Sequence, residues 1–266
     1  FGNSLMPSQV ARVAELSQGH PLTLKFFIDE LQLAAERGTE DPTEVLAGGP
    51  SGYYERVWNR LSNEGPTQYL LAIIASLRGA VSENELFQIV PDDHKSNFMD
   101  SLARVRHLLR VEDNTIRFYH ESFREFIQQK ASIWTDAIHE SVATYCRSST
   151  TTEYAIGNLL YHHLQTSTDG QLAAQLCTQE WLDRAAASCV HPEFILADIN
   201  EVLRRMAEAG ELQETVRILL LRSRANYRYN HVFALFAGDF AKAAVNLRQP
   251  AQSLRFIARQ QHFICP

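Results

Sequence analysis

The stretch Thr115-Ile116-Arg117-Phe118-Tyr119-His120-Glu121-Ser122-Phe123-Arg124-Glu125-Phe126-Ile127 changes its period halfway along. Ile116 and Phe118 alternate with Arg117 and Tyr119, which is the two-residue repeat of a short strand. Beyond them Phe123, Phe126, Ile127 and Ala131 recur at helical spacing, and Ser122-x-x-Glu125 has the form of a capping box that starts a helix. His120 is thereby expected at a strand-to-helix junction, beside a helix N-terminus whose unpaired amides favour anions. A histidine at such a boundary serves either packing or an anionic ligand.

Working upstream, Val111 and Ile116 flank the polar turn Glu112-Asp113-Asn114 and predict a two-stranded hairpin near residues 109–118. Tyr53, Tyr54, Val57, Trp58 and Leu61 have helical spacing. Pro66 opens a further helix carrying Leu70, Leu71, Ile73 and Ile74, against which Phe123, Phe126 and Ile127 are expected to bury. Ser82-x-x-Glu85 is a second capping box, ahead of Leu86, Phe87 and Ile89. Pro91-Asp92-Asp93 breaks that helix, and the next carries Phe98, Met99, Leu102, Val105, Leu108 and Leu109. Several helices, a hairpin and a closing helix describe a winged-helix domain over 51–135.

A winged helix raises the question of DNA. The helix that would enter the major groove carries Lys95, Arg104, Arg106, His107 and Arg110 against Asp100, and local basic charge is what such a helix needs. Arg104 and Arg106, however, lie about 200° apart on a helix and form no single reading face. The wing tip is acidic at Glu112 and Asp113. With a net charge of −6 and a pI of about 5.9, the chain argues against DNA as its partner.

Residues 1–50 read as a helical segment. Val10, Val13, Ala14 and Leu16 are spaced for a helix that stops at Gln18-Gly19. Pro21 fits the first turn of a second helix, whose residues Leu22, Leu24, Phe26, Phe27, Ile28, Leu31 and Leu33 are apolar around much of its circumference, so it is expected to be well buried. Gly38 to Gly52 reads as a linker. Residues 136–266 read as a helical array. His162-His163 is not a metal pair, because adjacent helical residues point about 100° apart. Ala209-Gly210-Glu211-Leu212 recurs as Ala237-Gly238-Asp239-Phe240, a spacing that suggests stacked, TPR-like helix pairs. The arginines at 217, 222, 224, 228, 248, 255 and 259 leave this end basic, as a solvated face with Tyr227 and Tyr229 packing locally or as a ligand surface.

At 266 residues and 45% apolar content the chain is expected to form two or three mainly α-helical, ordered domains. No apolar run approaches the roughly 20 residues that span a bilayer, so no membrane association is expected. Cys146, Cys177, Cys189 and Cys265 show no CxxC spacing, which fits a reducing, cytoplasmic compartment and neither a disulfide framework nor a metal site. No G-x-x-x-x-G-K-[ST], G-x-S-x-G or H-E-x-x-H occurs, so hydrolysis by this stretch alone is not expected.

Phe118-x-His120-x-Ser122-Phe123-x-Glu125-Phe126 resembles the winged-helix signature of the STAND nucleotide-switch ATPases, the NACHT and NB-ARC signalling proteins. Gly19-His20-Pro21-Leu22 resembles their G-x-P-L motif, about a hundred residues earlier, as the family requires. The resemblance covers residues from about 8 to 165. It implies that His120 touches the β-phosphate of ADP and that Pro21 packs near the adenine. It further implies a P-loop domain ahead of Phe1 that supplies ATPase activity and Mg²⁺, ADP/ATP as cofactors, and homo-oligomers on activation. A ligand or protein trigger would be read by the C-terminal helical region, in a signalling role such as antiviral defence. The alternative is a winged-helix regulator or helical scaffold that works without nucleotide.

Overall fold

Apolar residues at helical spacing run through most of the chain, and in the computed structural model they form helices around one small three-stranded antiparallel sheet. The structure describes residues 7–17, 24–25, 27–28, 31, 49–61, 64–112, 114–149, 152–166, 170–188, 190–229, 233–248, 258–259 and 262–263. The first helices are α1 (Pro7–Ser17), α2 (Gly49–Arg60) and α3 (Gly65–Ser76). Strand β1 (Val81–Ser82) leads into α4 (Glu83–Ile89), α5 (Asp92–Lys95) and α6 (Phe98–Val105). The hairpin β2 (Leu109–Glu112) and β3 (Thr115–Phe118) is followed by α7 (Glu121–Lys130) and α8 (Thr135–Ser148). Then come α9 (Glu153–Thr166), α10 (Gly170–Leu176), α11 (Gln179–Ala187), α12 (Pro192–Glu208), α13 (Leu212–Tyr227) and α14 (Phe233–Asn246). Ala258–Arg259 and His262–Phe263 form a further pair of short strands, β4 and β5.

The sheet order is β1-β3-β2, one strand more than the expected hairpin, with Val81 opposite Ile116 and Leu109 opposite Phe118. Asn114 takes the left-handed φ of 62° that the tight turn demands. Arg110 faces Arg117 across the hairpin, a like-charge pair that would destabilise it. Glu112 offsets this by pairing with both guanidinium groups.

Ser82 caps α4 as expected: its hydroxyl accepts from the Glu85 amide (3.2 Å) and its own amide donates to the Glu85 carboxylate (3.0 Å). The second box does not form. Helix α7 starts at Glu121 with His120 as its N-cap residue, so Ser122 already lies in the first turn. Its hydroxyl instead shares a 2.8 Å hydrogen bond with the phenol of Tyr54. A largely buried phenol needs a partner, and this tertiary contact prevails over the local one.

Other expectations also change. The linker over 38–52 is helical from Gly49 onward, since Pro50 suits a first helical turn. The basic helix ends at Val105; Arg106–Leu108 tighten into a 3₁₀ turn and Arg110 belongs to β2. In the segment after Pro21, Phe27 and Leu31 bury against Val13 while Leu24 and Ile28 are exposed, so one face is covered and not the whole circumference. The two Ala-Gly sequences are not equivalent. Gly210 follows the end of α12 with a φ of 75° and closes a Schellman turn, whereas Gly238 lies inside α14, beyond a kink at Phe236.

Phe123 and Ile127 are buried, with Phe126 partly buried beside them, in one apolar core with Leu70, Leu71 and Ile74 of α3. That core extends through Val142 and Cys146 of α8 to Tyr154 and Ala155 at the start of α9. A second core takes over at Leu160 and continues to Ala225 and Tyr229. Helix α9 therefore belongs to both. Gly157 stands at the changeover, where a Cβ would meet the methyls of Val190 at 2.9 and 3.0 Å.

Arginines satisfy helix ends across the fold. Arg124 donates to the carbonyls of Ala75 (2.9 Å) and Leu77 (3.1 Å) at the end of α3. Arg205 reaches Leu164 (2.7 Å), and Arg217 reaches Ala174 (2.6 Å) and Cys177 (2.9 Å). Each supplies a donor and a positive charge where carbonyls are left over.

Candidate functional site

Strand β3 delivers His120 to the start of α7. Ile116 and Phe118 turn inward, Phe118 stacking edge-on with Phe123 at 5.5 Å, and this fixes the direction in which the chain leaves the sheet. His120 has an extended backbone (φ −135°, ψ 135°), is half-buried, and its carbonyl accepts from the Arg124 amide (3.2 Å). The amides that follow it are those a helix start leaves unpaired within the helix. Its ring lies 5.8 Å from that of Tyr119, and the Lys25 ammonium sits 5.3 Å from the Tyr119 ring centre. The amino-terminal segment thus reaches the junction. Pro21 itself lies outside the described residues.

Beside the junction is an open cleft of about 360 Å³, lined by Arg78, Arg110, Arg117 and Arg124 together with Tyr119 and Glu121. The lining takes the residues on either side of His120 and not His120 itself. Its charges are mostly matched: Arg124 pairs with Glu121 (2.7 Å), Arg110 and Arg117 share Glu112, and Arg78 pairs with Asp198 (2.6 Å). Basic residues of the helix that would face DNA are engaged as well, Arg104 with Glu64 at 2.8 Å and Arg106 with Glu83 at 3.8 Å.

Arg78 also joins the two cores, which sequence reasoning missed. It leaves the turn after α3, donates to Asp198 on α12 and to the Phe194 carbonyl (3.3 Å), and lies over the rings of Tyr161 (4.6 Å) and Phe194 (4.5 Å). Stacked, forked donation of this kind suits arginine and not lysine. Asp198 is 3% exposed, and its Oδ2 is buried without a hydrogen-bond partner. Burial outweighs the attraction of Arg78 and pushes the carboxyl up to about 7.

Next to this pair, His139 Nδ1 of α8 meets His162 Nδ1 of α9 at 2.8 Å, and His162 Nε2 meets the Tyr154 hydroxyl at 2.9 Å. His162 pairs across the α8–α9 hairpin, and not with His163 beside it. The signal was present in the numbers: 139 lies nine residues before the end of α8 at Ser148 and 162 nine residues after the start of α9 at Glu153, as facing positions in an antiparallel helix pair must. One ring must donate and the other accept, so the two cannot both carry a proton on Nδ1. Burial lowers His139 to about 4 and His162 well below its ordinary value. Cys146 and Cys177 are buried free thiols pushed up to about 12, hence poor nucleophiles.

Among the described residues no cluster of three or more His, Cys, Asp or Glu could hold a metal ion, and no helix is long and apolar enough to cross a membrane. Comparison with known proteins adds no relative: no family model, no curated protein and no solved structure matches the chain.

Proposed function

We propose that this chain is the regulatory part of a nucleotide-gated switch of the STAND class. In this reading residues 51–135 are a winged-helix domain, the following helices are a sensor arm, and a P-loop domain contributes Mg²⁺ and most of the nucleotide contacts. His120 donates a hydrogen bond to an ADP phosphate and so favours the closed, monomeric state; ATP and a trigger favour oligomers. One observation carries the reading. His120 is the half-buried N-cap of α7, at the place where leftover amides and the helix dipole attract an anion. The contact of Lys25 with Tyr119 adds to it, because it brings the segment following Pro21 to the same junction.

The test is ADP calorimetry on the full-length protein. A hydrogen bond to a charged group contributes roughly 1.5–3 kcal/mol, so His120→Ala weakens ADP by about ten- to 150-fold with little change in melting temperature. Pro21→Ala weakens ADP and ATP alike. Equal ADP affinities for wild type and His120→Ala, with a large thermal loss, would make His120 a packing residue. The second reading, a helical scaffold without nucleotide, would then stand; it is favoured by the matched charges of the arginine cleft. Either reading leaves duplex DNA a weak ligand.

A further inference from the structure

We propose that the outer face of α13 is a docking surface for an acidic amphipathic helix. Leu212, Val216, Leu219, Leu220 and Tyr227 are 76, 47, 43, 61 and 63% exposed. At 100° per residue they fall within an arc of about 100°, forming one stripe along the helix. The opposite face, Ile218, Leu221 and Ala225, is buried in the second core. A surface helix needs a single apolar stripe to hold its place. A second one, uncovered over nearly the whole helix and interrupted at Ser223, marks an interaction surface.

The charges around the stripe choose the partner. Arg222 and Arg224 flank it on its two sides, by the same helical geometry. The carboxylate of α13, Glu214, lies on the rear half and is held by Arg217 at 2.7 Å. Arg224 donates to the neutral Gln179 oxygen at 3.1 Å, and the nearby Asp183 is already held by Arg228. Along the Arg224 side runs an open groove of about 550 Å³ that also takes in Ser223, Tyr227 and Arg228. A second copy laid parallel on this stripe would bring arginine against arginine, and like charges across an interface are costly. An antiparallel copy would set Arg222 near Thr215 and Arg224 near Gln213 and Arg217, with no carboxylate of α13 to meet either. A helix with leucines at i, i+3 or i+4 and i+7, bordered by glutamates, fills the stripe and meets both flanks. The surface is independent of the nucleotide reading.

The probes are two synthetic leucine-striped helices of about 16 residues, one bordered by glutamate and one by lysine, titrated against the full chain by fluorescence anisotropy. The glutamate peptide is expected to bind at least tenfold tighter than the lysine peptide, and to weaken as salt rises. Leu220→Asp should weaken it by at least tenfold without changing the melting temperature, since Leu220 is exposed. Arg224→Glu should narrow or reverse the preference between the peptides. Failure of both peptides to bind at millimolar concentration, or equal binding by both, overturns the proposal. So does a dimer in sedimentation that Leu220→Asp dissolves, which would give the face to a second copy.

Discussion

Two helices of this molecule, α3 and α13, are both rich in leucine and isoleucine, yet the fold treats them differently. In α3, Leu70, Leu71, Ala72, Ile73, Ile74 and Ala75 are all buried, because α6, α7 and α8 close around it and arginine and glutamine from α7 satisfy its last carbonyls. In α13 the apolar residues form two opposite faces, and α12 covers one of them. Apolar content reports that a surface wants covering. What covers it is decided by the neighbours.

The largest effect tests what holds the two surroundings together. Arg78→Met leaves Asp198 buried without its partner and is expected to destabilise by about 3–5 kcal/mol in urea unfolding at pH 8. The loss should be smaller at pH 5, where Asp198, with its pKa near 7, takes a proton in place of the arginine. A loss below about 1 kcal/mol at pH 8 would mean that the cores hold together by apolar packing alone. Next comes the wrapped helix itself: Leu71→Ala should cost about 2–5 kcal/mol through lost transfer energy and a cavity.

The pH dependence of the junction is subtler. His139 and His162 have lowered pKa values, so they destabilise the fold as pH falls from about 6.5 towards 4. Asp198 has a raised pKa and acts in the opposite direction, taking up a proton more readily folded than unfolded between about 7 and 4. Wild type should therefore lose stability gently on acidification over pH 6.5–4.5. Asp198→Asn should lose it more steeply, by about one further proton per molecule. Equal slopes from paired denaturation curves would contradict this. The smallest effect closes the comparison: Leu220→Ser on the open face of α13 should change stability by no more than about 0.5 kcal/mol. A cost matching that of Leu71→Ala would show that the stripe is covered after all.

Much of this architecture was legible because short-range rules are strong. The alternation at Ile116 and Phe118, the proline at 66 and the Ser82–Glu85 box each specify local geometry, and each stands in the structure. Ser122 misled because its partner, Tyr54, is 68 residues away, and no local spacing encodes that contact. The same holds for Arg78 and Asp198, 120 residues apart. His139 and His162 lie between these extremes, since hairpin symmetry could have paired them. His120 stands at its junction as the change of period required, although the capping box expected beside it does not form, whereas the arginines that line the neighbouring cleft come from three separate elements and the turn after α3, and meet only in the fold.

Gly157 carries a mechanical consequence. Its helix, α9, is 14 residues long and so about 21 Å from end to end, and it is embedded in one core at its start and in the other beyond Leu160. The two halves of the molecule share an axle here, with no loop at the point where they join. Any swing of one half against the other must bend or twist that axle, and the glycine, the residue with the least backbone stiffness, sits at the point of greatest leverage. Val190 fills the space a side chain at 157 would need, so any larger residue there would have to push that valine aside and shift the axle with it.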